Sequence, residues 1–141
     1  MNWTLALTAV AAVTGIAGLA AAGGSTPAAE ERVFEMRTYI ASPGKITALH
    51  ARFRDHTCKL FEKHGMTNIG YWQQTSGDNA ENTLVYILAY PSKEARDASW
   101  KAFQADEDWK KVKAESEKDG VPLAAKVTSV FLKGTDYSTI K

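Results

Sequence analysis

From residue 33 onward the chain alternates between two rhythms of apolar and polar positions. Residues 33–40 repeat every second position, with Phe34, Met36, Thr38 and Ile40 on one side and Val33, Glu35, Arg37 and Tyr39 on the other, which predicts a strand. Ser42-Pro43-Gly44 closes it and opens a helix: Ser42 supplies a capping hydroxyl, and Pro43 suits a first helical position, where its missing N–H has no intrahelical role. Ile46, Leu49, Phe53, Leu60 and Phe61 form the apolar stripe of that helix, His56 falls on the same side, and Gly65 stops it. Residues 66–74 read as a second strand, 75–82 as a polar turn, and Thr83–Tyr90 as a third strand; the short connection makes the pair an antiparallel hairpin. Ser92 caps a second helix whose buried stripe is Ala95, Ser99, Ala102 and Phe103. Asp106-Glu107-Asp108 restarts or kinks it, because acidic groups favour a helix N-terminus. Trp109 and Val112 continue the apolar side, 119–122 ends the helix, 126–132 forms a last short strand, and 134–141 is read as a loose tail.

The order β-α-β-β-α-β is that of a ferredoxin-like α+β fold, four antiparallel strands with two helices on one face. Two helices leave the other face bare. With Phe34, Met36 and Ile40 packed under the helices, Glu35, Arg37 and Tyr39 lie on that open face. The third strand is apolar on both sides, with Leu84, Tyr86, Leu88 and Tyr90 opposed by Val85, Ile87 and Ala89. A helix-free face of this character expects a partner, and the simplest is a second copy, giving a two-fold dimer that encloses a barrel-like space.

The first 29 residues change the picture of where the domain begins. They hold no charged side chain, so all 17 basic and 16 acidic residues fall in the rest of the chain. The apolar run over 3–22, ending in Ala20-Ala21-Ala22-Gly23-Gly24, reads as a signal peptide over 1–22, followed by a flexible linker over 23–31. That makes the protein exported, periplasmic or secreted. The alternative is a membrane anchor, since the run approaches the ~20 residues needed to cross a bilayer; a membrane partner follows only if 3–22 is not cleaved. The net charge of +1 argues against a nucleic-acid partner. The single cysteine, Cys58, excludes an internal disulfide and any cysteine-based metal site within one chain, and is read as a small buried helix residue.

The chemistry on offer is sparse. His56, on the apolar side of the first helix, is the candidate general base. Glu35 and Arg37 form either an ion pair at a dimer interface or the lining of a wet pocket for an acidic ligand. Tyr39, Tyr71, Trp72, Tyr86, Trp100 and Trp109 are aromatics suited to a ligand pocket or, equally, to packing, and the first four are the candidate ligand contacts. His64 sits where it can complement the end of a helix, and His50 is read as solvent-facing. The spacing of the three histidines puts them on different faces, so no metal site is expected of them, and no cofactor motif is present.

Glu35-Met36-Arg37-Thr38-Tyr39, Pro43-Gly44-Lys45, Glu62-Lys63-His64-Gly65, Gly70-Tyr71-Trp72, Glu94-Ala95-Arg96-Asp97 and Asp108-Trp109, in this order, resemble the pattern of the NIPSNAP family. The resemblance spans about 33–132, nearly all of the domain placed at 32–133. It implies the dimeric α-β barrel superfamily, which includes cofactor-free monooxygenases, small isomerases and members without assigned chemistry, and so implies a dimer but no reaction. Two functions are carried forward: a small-molecule-binding or interaction homodimer, and a cofactor-independent monooxygenase-like or isomerase-like enzyme acting on an aromatic or polyketide-type molecule. An enclosed pocket touching His56, Arg37 and Tyr39 would favour the enzyme.

Overall fold

A computed structural model describes residues 32–141. The signal and linker segments therefore lie outside the described residues. Four strands, β1 (Val33–Ala41), β2 (Thr67–Gln73), β3 (Thr83–Tyr90) and β4 (Ala124–Leu132), form one antiparallel sheet in the order β2-β3-β1-β4. Between β1 and β2 the chain runs as one rod through α1 (Ile46–Arg52), a π-helical turn (Phe53–Thr57) and α2 (Cys58–Lys63). Between β3 and β4 it forms α3 (Lys93–Ala105) and α4 (Glu107–Ser116). This is the expected α+β ferredoxin-like arrangement.

The caps follow simple chemistry, with one exception. Ser92 Oγ accepts from Ala95 N–H at 3.1 Å, and Asp106 Oδ1 accepts from Asp108 and Trp109 N–H, so both later helices start where short polar side chains offer acceptors. The rod ends at Gly65 (φ +78°): the N–H groups of Gly65 and Met66 bond back to Glu62 and Phe61, a reverse turn that needs a left-handed residue. Ser42, however, is not the cap of the first helix. Pro43-Gly44 makes a separate turn, α1 starts at Ile46, and the Ser42 hydroxyl donates to the Pro122 carbonyl, tying β1 to the segment before β4.

The π-helical turn changes what faces the core. Cys58 N–H reaches back five residues to the Phe53 carbonyl, which inserts one extra residue into the stripe. Leu49, Phe53, Thr57, Leu60 and Phe61 are buried as a result, and His56 is rotated out to solvent.

The two faces of β1 are reversed from expectation. Glu35, Arg37 and Tyr39 stand opposite Leu88, Tyr86 and Leu84 of β3, on the helix-covered side. Phe34, Met36, Thr38 and Ile40 face the bare side, with Val85, Ile87 and Ala89. On β2, Tyr71 pairs with Tyr86 under the helices, while Trp72 pairs with Val85 on the bare side and is 52 % exposed. A bulge at Ile69 precedes Gly70, and a Cβ on Gly70 would lie 2.5 Å from the Trp72 indole; the glycine makes room for that ring. In α3 the buried residues are Trp100 and Phe103, and Ala102 is exposed. The tail is placed: Ile140 comes beside Phe34, Ile69, Ile87 and Leu132 on the bare face, across a gap of about 280 Å³. Arg32 Nη1 donates to the carbonyl of Lys141.

Candidate functional site

Beneath the helices, β1 turns a carboxylate into the core. Glu35 is fully buried, and each of its oxygens accepts three hydrogen bonds. Arg37 Nη1, Arg96 Nη2 and Ser129 Oγ reach Oε1 at 2.7, 2.7 and 2.6 Å. Tyr90 OH, Arg96 Nε and Trp100 Nε1 reach Oε2 at 2.9, 2.9 and 3.1 Å. Burial pushes the Glu35 pKa up, but the bonds from Arg96, Ser129 and Arg37 outweigh it and hold the group well below its ordinary 4.5. One carboxylate is thus shared by two guanidiniums, and Arg96 also meets Asp97 at 3.0 Å, so the two cations are matched by two carboxylates.

Arg37 borders an open space. Its guanidinium lies 4.3 Å from the centre of the Trp100 ring, and its Nε donates to Tyr86 OH at 3.0 Å. Burial first, and then Tyr39, keep the Tyr86 phenol well above its ordinary pKa and neutral, against the opposing pull of Arg37. Tyr86 is fully buried and stacks on Tyr71, with ring centres 5.4 Å apart, and Phe53 sits against both. These two tyrosines are therefore floor and core.

Above this floor, between the sheet and the helices, is a cavity of about 520 Å³, a size suited to a small organic molecule. Arg37 and Tyr39 line it from β1, Arg52 and Phe53 from the first rod, Trp100 from α3, and Trp109, Lys110 and Lys113 from α4. Arg52 is buried; its Nη1 donates to Glu117 Oε1 at 2.8 Å and to Ser116 Oγ at 3.1 Å, and its guanidinium lies 5.2 Å from the Trp109 ring centre. Its Nε is buried with no hydrogen-bond partner among the described residues.

The sequence-derived candidates thus separate. Arg37 and Tyr39 line the cavity, Glu35 lies beneath it, and Tyr71 and Tyr86 pack the core. Trp72 is on the opposite face of the sheet. His56 is outside the cavity too: it borders a second groove with Ala48, Asp55, Lys111 and Glu115 on the outer side of the rod and α4, which Arg52 also borders. His64 pairs with Asp106 at 2.7 Å and helps Lys63, which bonds the same oxygen at 2.7 Å, hold that carboxylate well below its usual range; the pair ties the end of α2 to the start of α4. His50 meets Gln73 at 2.9 Å. Trp100 and Trp109, two of the aromatics weighed as ligand contacts or packing, do line the cavity, and the residues missed were Arg52, Lys113 and Glu117. Arg52 stands three positions after Leu49 and one before Phe53, a placement on the stripe that its charge disguised. Among the described residues no group of His, Cys, Asp and Glu could hold a metal ion.

Fold and cavity together define an α+β protein of the ferredoxin-like class, with a hollow between sheet and helices. A family model described as NIPSNAP matches residues 34–139, and the chain belongs to the NIPSNAP family. Among solved structures it resembles a NIPSNAP family protein of unknown function from Agrobacterium tumefaciens (22 % identity, TM-score 0.66, covering 79 % of this chain and 96 % of that one). It also resembles an uncharacterized NIPSNAP domain protein from Burkholderia xenovorans (24 %, TM-score 0.63, 75 % and 97 %). The fold extends to a putative antibiotic biosynthesis monooxygenase from Nitrosomonas europaea (14 %, TM-score 0.50, 72 % and 97 %). Among the curated proteins none matches.

Proposed function

We propose that this is an exported protein that binds a small molecule in the helix–sheet cavity and works as a homodimer. The observation that carries the binding reading is the cavity itself: about 520 Å³ of space walled by tryptophans, with two partly or wholly buried guanidiniums at its lining. Burying charged groups beside a hollow costs stability unless something compensates them. Such a cost is reasonable at a ligand site.

The dimer reading is supported by the bare face, where Trp72 at 52 %, Val130 at 46 % and Leu132 at 40 % exposure lie beside Phe34, Met36 and Ile87. Export is supported by the uncharged apolar character of residues 1–29; among the described residues, no helix is long and apolar enough to cross a membrane. The enzyme reading loses its base, because His56 does not touch the cavity.

Native mass spectrometry of the protein purified from its own host tests all three statements. The expected result is a processed dimer carrying a co-purifying small molecule. A ligand-free protein that also fails to bind any member of a metabolite library would end the binding reading, and a monomer at high concentration would end the dimer. Retention of residues 1–22 would end cleaved export.

A further inference from the structure

The cavity is not evenly charged, and its arginines are not equally occupied. Its lining carries four cations, Arg37, Arg52, Lys110 and Lys113, against one carboxylate, Glu117. Glu117 is spent: its Oε1 accepts from Arg52 Nη1 and from the N–H of Leu123. Lys110 is drawn outward to Glu107 at 2.6 Å. Arg37 uses three of its five N–H groups, on Tyr86, Glu35 and Tyr39.

Arg52 differs. Both of its hydrogen bonds leave from Nη1. Nε is buried without an acceptor, and Nη2 makes no hydrogen bond among the described residues. The edge formed by Nε and Nη2 presents two parallel N–H groups, the arrangement that a planar carboxylate accepts in a bidentate fashion. A buried donor left without an acceptor costs stability, so a ligand oxygen placed there removes a penalty as well as adding a bond. Arg52 lines the cavity, whose wall also includes the flat rings of Phe53, Trp100 and Trp109, and it borders the outer groove as well.

The geometry points to an aromatic carboxylate as the ligand class, its carboxylate on the Nε–Nη2 edge of Arg52 and its ring between the tryptophans. This rests on the cavity being a binding site, and goes further by naming the chemistry it selects. Three of the four lining cations are paired with carboxylates, so the lining's positive charge is modest and comes mainly from Lys113; the planar fork favours a carboxylate over a neutral amide of the same shape.

Calorimetric titration of the full protein with naphthoate, naphthamide and acetate tests it. Naphthoate should bind at least ten-fold more tightly than naphthamide, and acetate, lacking the ring, more weakly than either. Arg52→Lys keeps the charge and loses the fork; it should weaken naphthoate at least ten-fold while leaving naphthamide within two-fold. Because that variant could fold poorly, the wild-type protein gives a second reading: the Arg52 Nε–H resonance in NMR spectra should shift on adding naphthoate and stay put with naphthamide. Equal binding of naphthoate and naphthamide, an unmoved Arg52 resonance, or no naphthoate binding would overturn the ligand class. If the cavity then holds a neutral molecule by native mass spectrometry, the binding reading survives; if it holds nothing, both fail.

Discussion

The two faces of this sheet hold their residues by opposite means. The covered face places Glu35, Arg37 and Tyr39 of β1 beneath the helices, and it tolerates them because Glu35 receives six hydrogen bonds and two guanidiniums. The bare face carries Phe34, Met36, Val85, Ile87 and Trp72, with few polar groups to satisfy and little above them but the tail at Ile140. Polar side chains are at home inside when every donor and acceptor is matched, and apolar ones lie outside when a partner is to come. The covered face should therefore fail when a single group is removed, and the bare face should fail only in its association.

The largest effect is expected on the covered face. Glu35→Ala removes the one acceptor that Arg37 and Arg96 share and leaves two cations crowded near each other. Breaking a buried ion pair in this way costs about 3–5 kcal/mol, and denaturant unfolding should show a loss of that order. A loss under about 1 kcal/mol would mean that water or a shifted side chain replaces the carboxylate.

Glu35→Gln sharpens the point through pH. The folded-state pKa of Glu35 is depressed below 4.5, so its contribution is complete above that value and fades as pH falls toward the folded pKa. In wild-type protein this adds to the acid limb of stability below pH 4.5; the glutamine variant, having no group to protonate, should be less stable at neutral pH and show a shallower acid limb. Parallel limbs for the two proteins would assign the acid sensitivity to other carboxylates.

These polar contacts explain which parts of the molecule the sequence disclosed. Alternation in 33–40 gave the two sets of side chains correctly, because period two is a property of the backbone. It could not say which set is covered: Phe34 and Met36 are the greasier set, and choosing it for the core is sound only if no carboxylate network outbids hydropathy. Caps were legible at Ser92, Asp106 and Gly65, where local chemistry suffices. The π-helical turn was not, since nothing in Phe-Arg-Asp-His-Thr announces one extra residue. That residue shifts the stripe from His56 to Thr57, and with it the candidate base left the site. Arg37 and Tyr39 were chosen for a cavity between two subunits and line one within a single chain. Arg52 was overlooked, because a charge on an apolar stripe reads as solvent-facing until its partners on α4 are seen.

On the bare face the expected effect is smaller and different in kind. Trp72 is half exposed and lies across Gly70, so Trp72→Lys should change the stability of one subunit by about 1 kcal/mol or less. The same change sets a charge on the proposed interface, and sedimentation should show a dimer weakened at least ten-fold, as befits the loss of a central aromatic contact. A dimer untouched by this lysine would move the interface elsewhere. Loss of fold instead of association would erase the contrast between the faces.

The smallest effect is predicted for the histidine that the sequence favoured. His56 is exposed, borders the outer groove, and is not among the residues that line the cavity. Its position follows from the π-helical turn, which makes Thr57 the inward residue; the Thr57 hydroxyl donates to the Arg52 carbonyl at 3.2 Å and is itself buried. His56→Ala should therefore change stability by no more than about 0.5 kcal/mol and leave the cavity's affinity for naphthoate within two-fold. Thr57→Val keeps shape and removes the hydroxyl; it should be felt more, at about 1 kcal/mol, because its bond braces the backbone that carries Arg52. If the order is reversed, with His56→Ala abolishing ligand binding while Thr57→Val is silent, the rod is an unbroken α-helix in solution. Its histidine then faces inward, and the separation of base from cavity is lost.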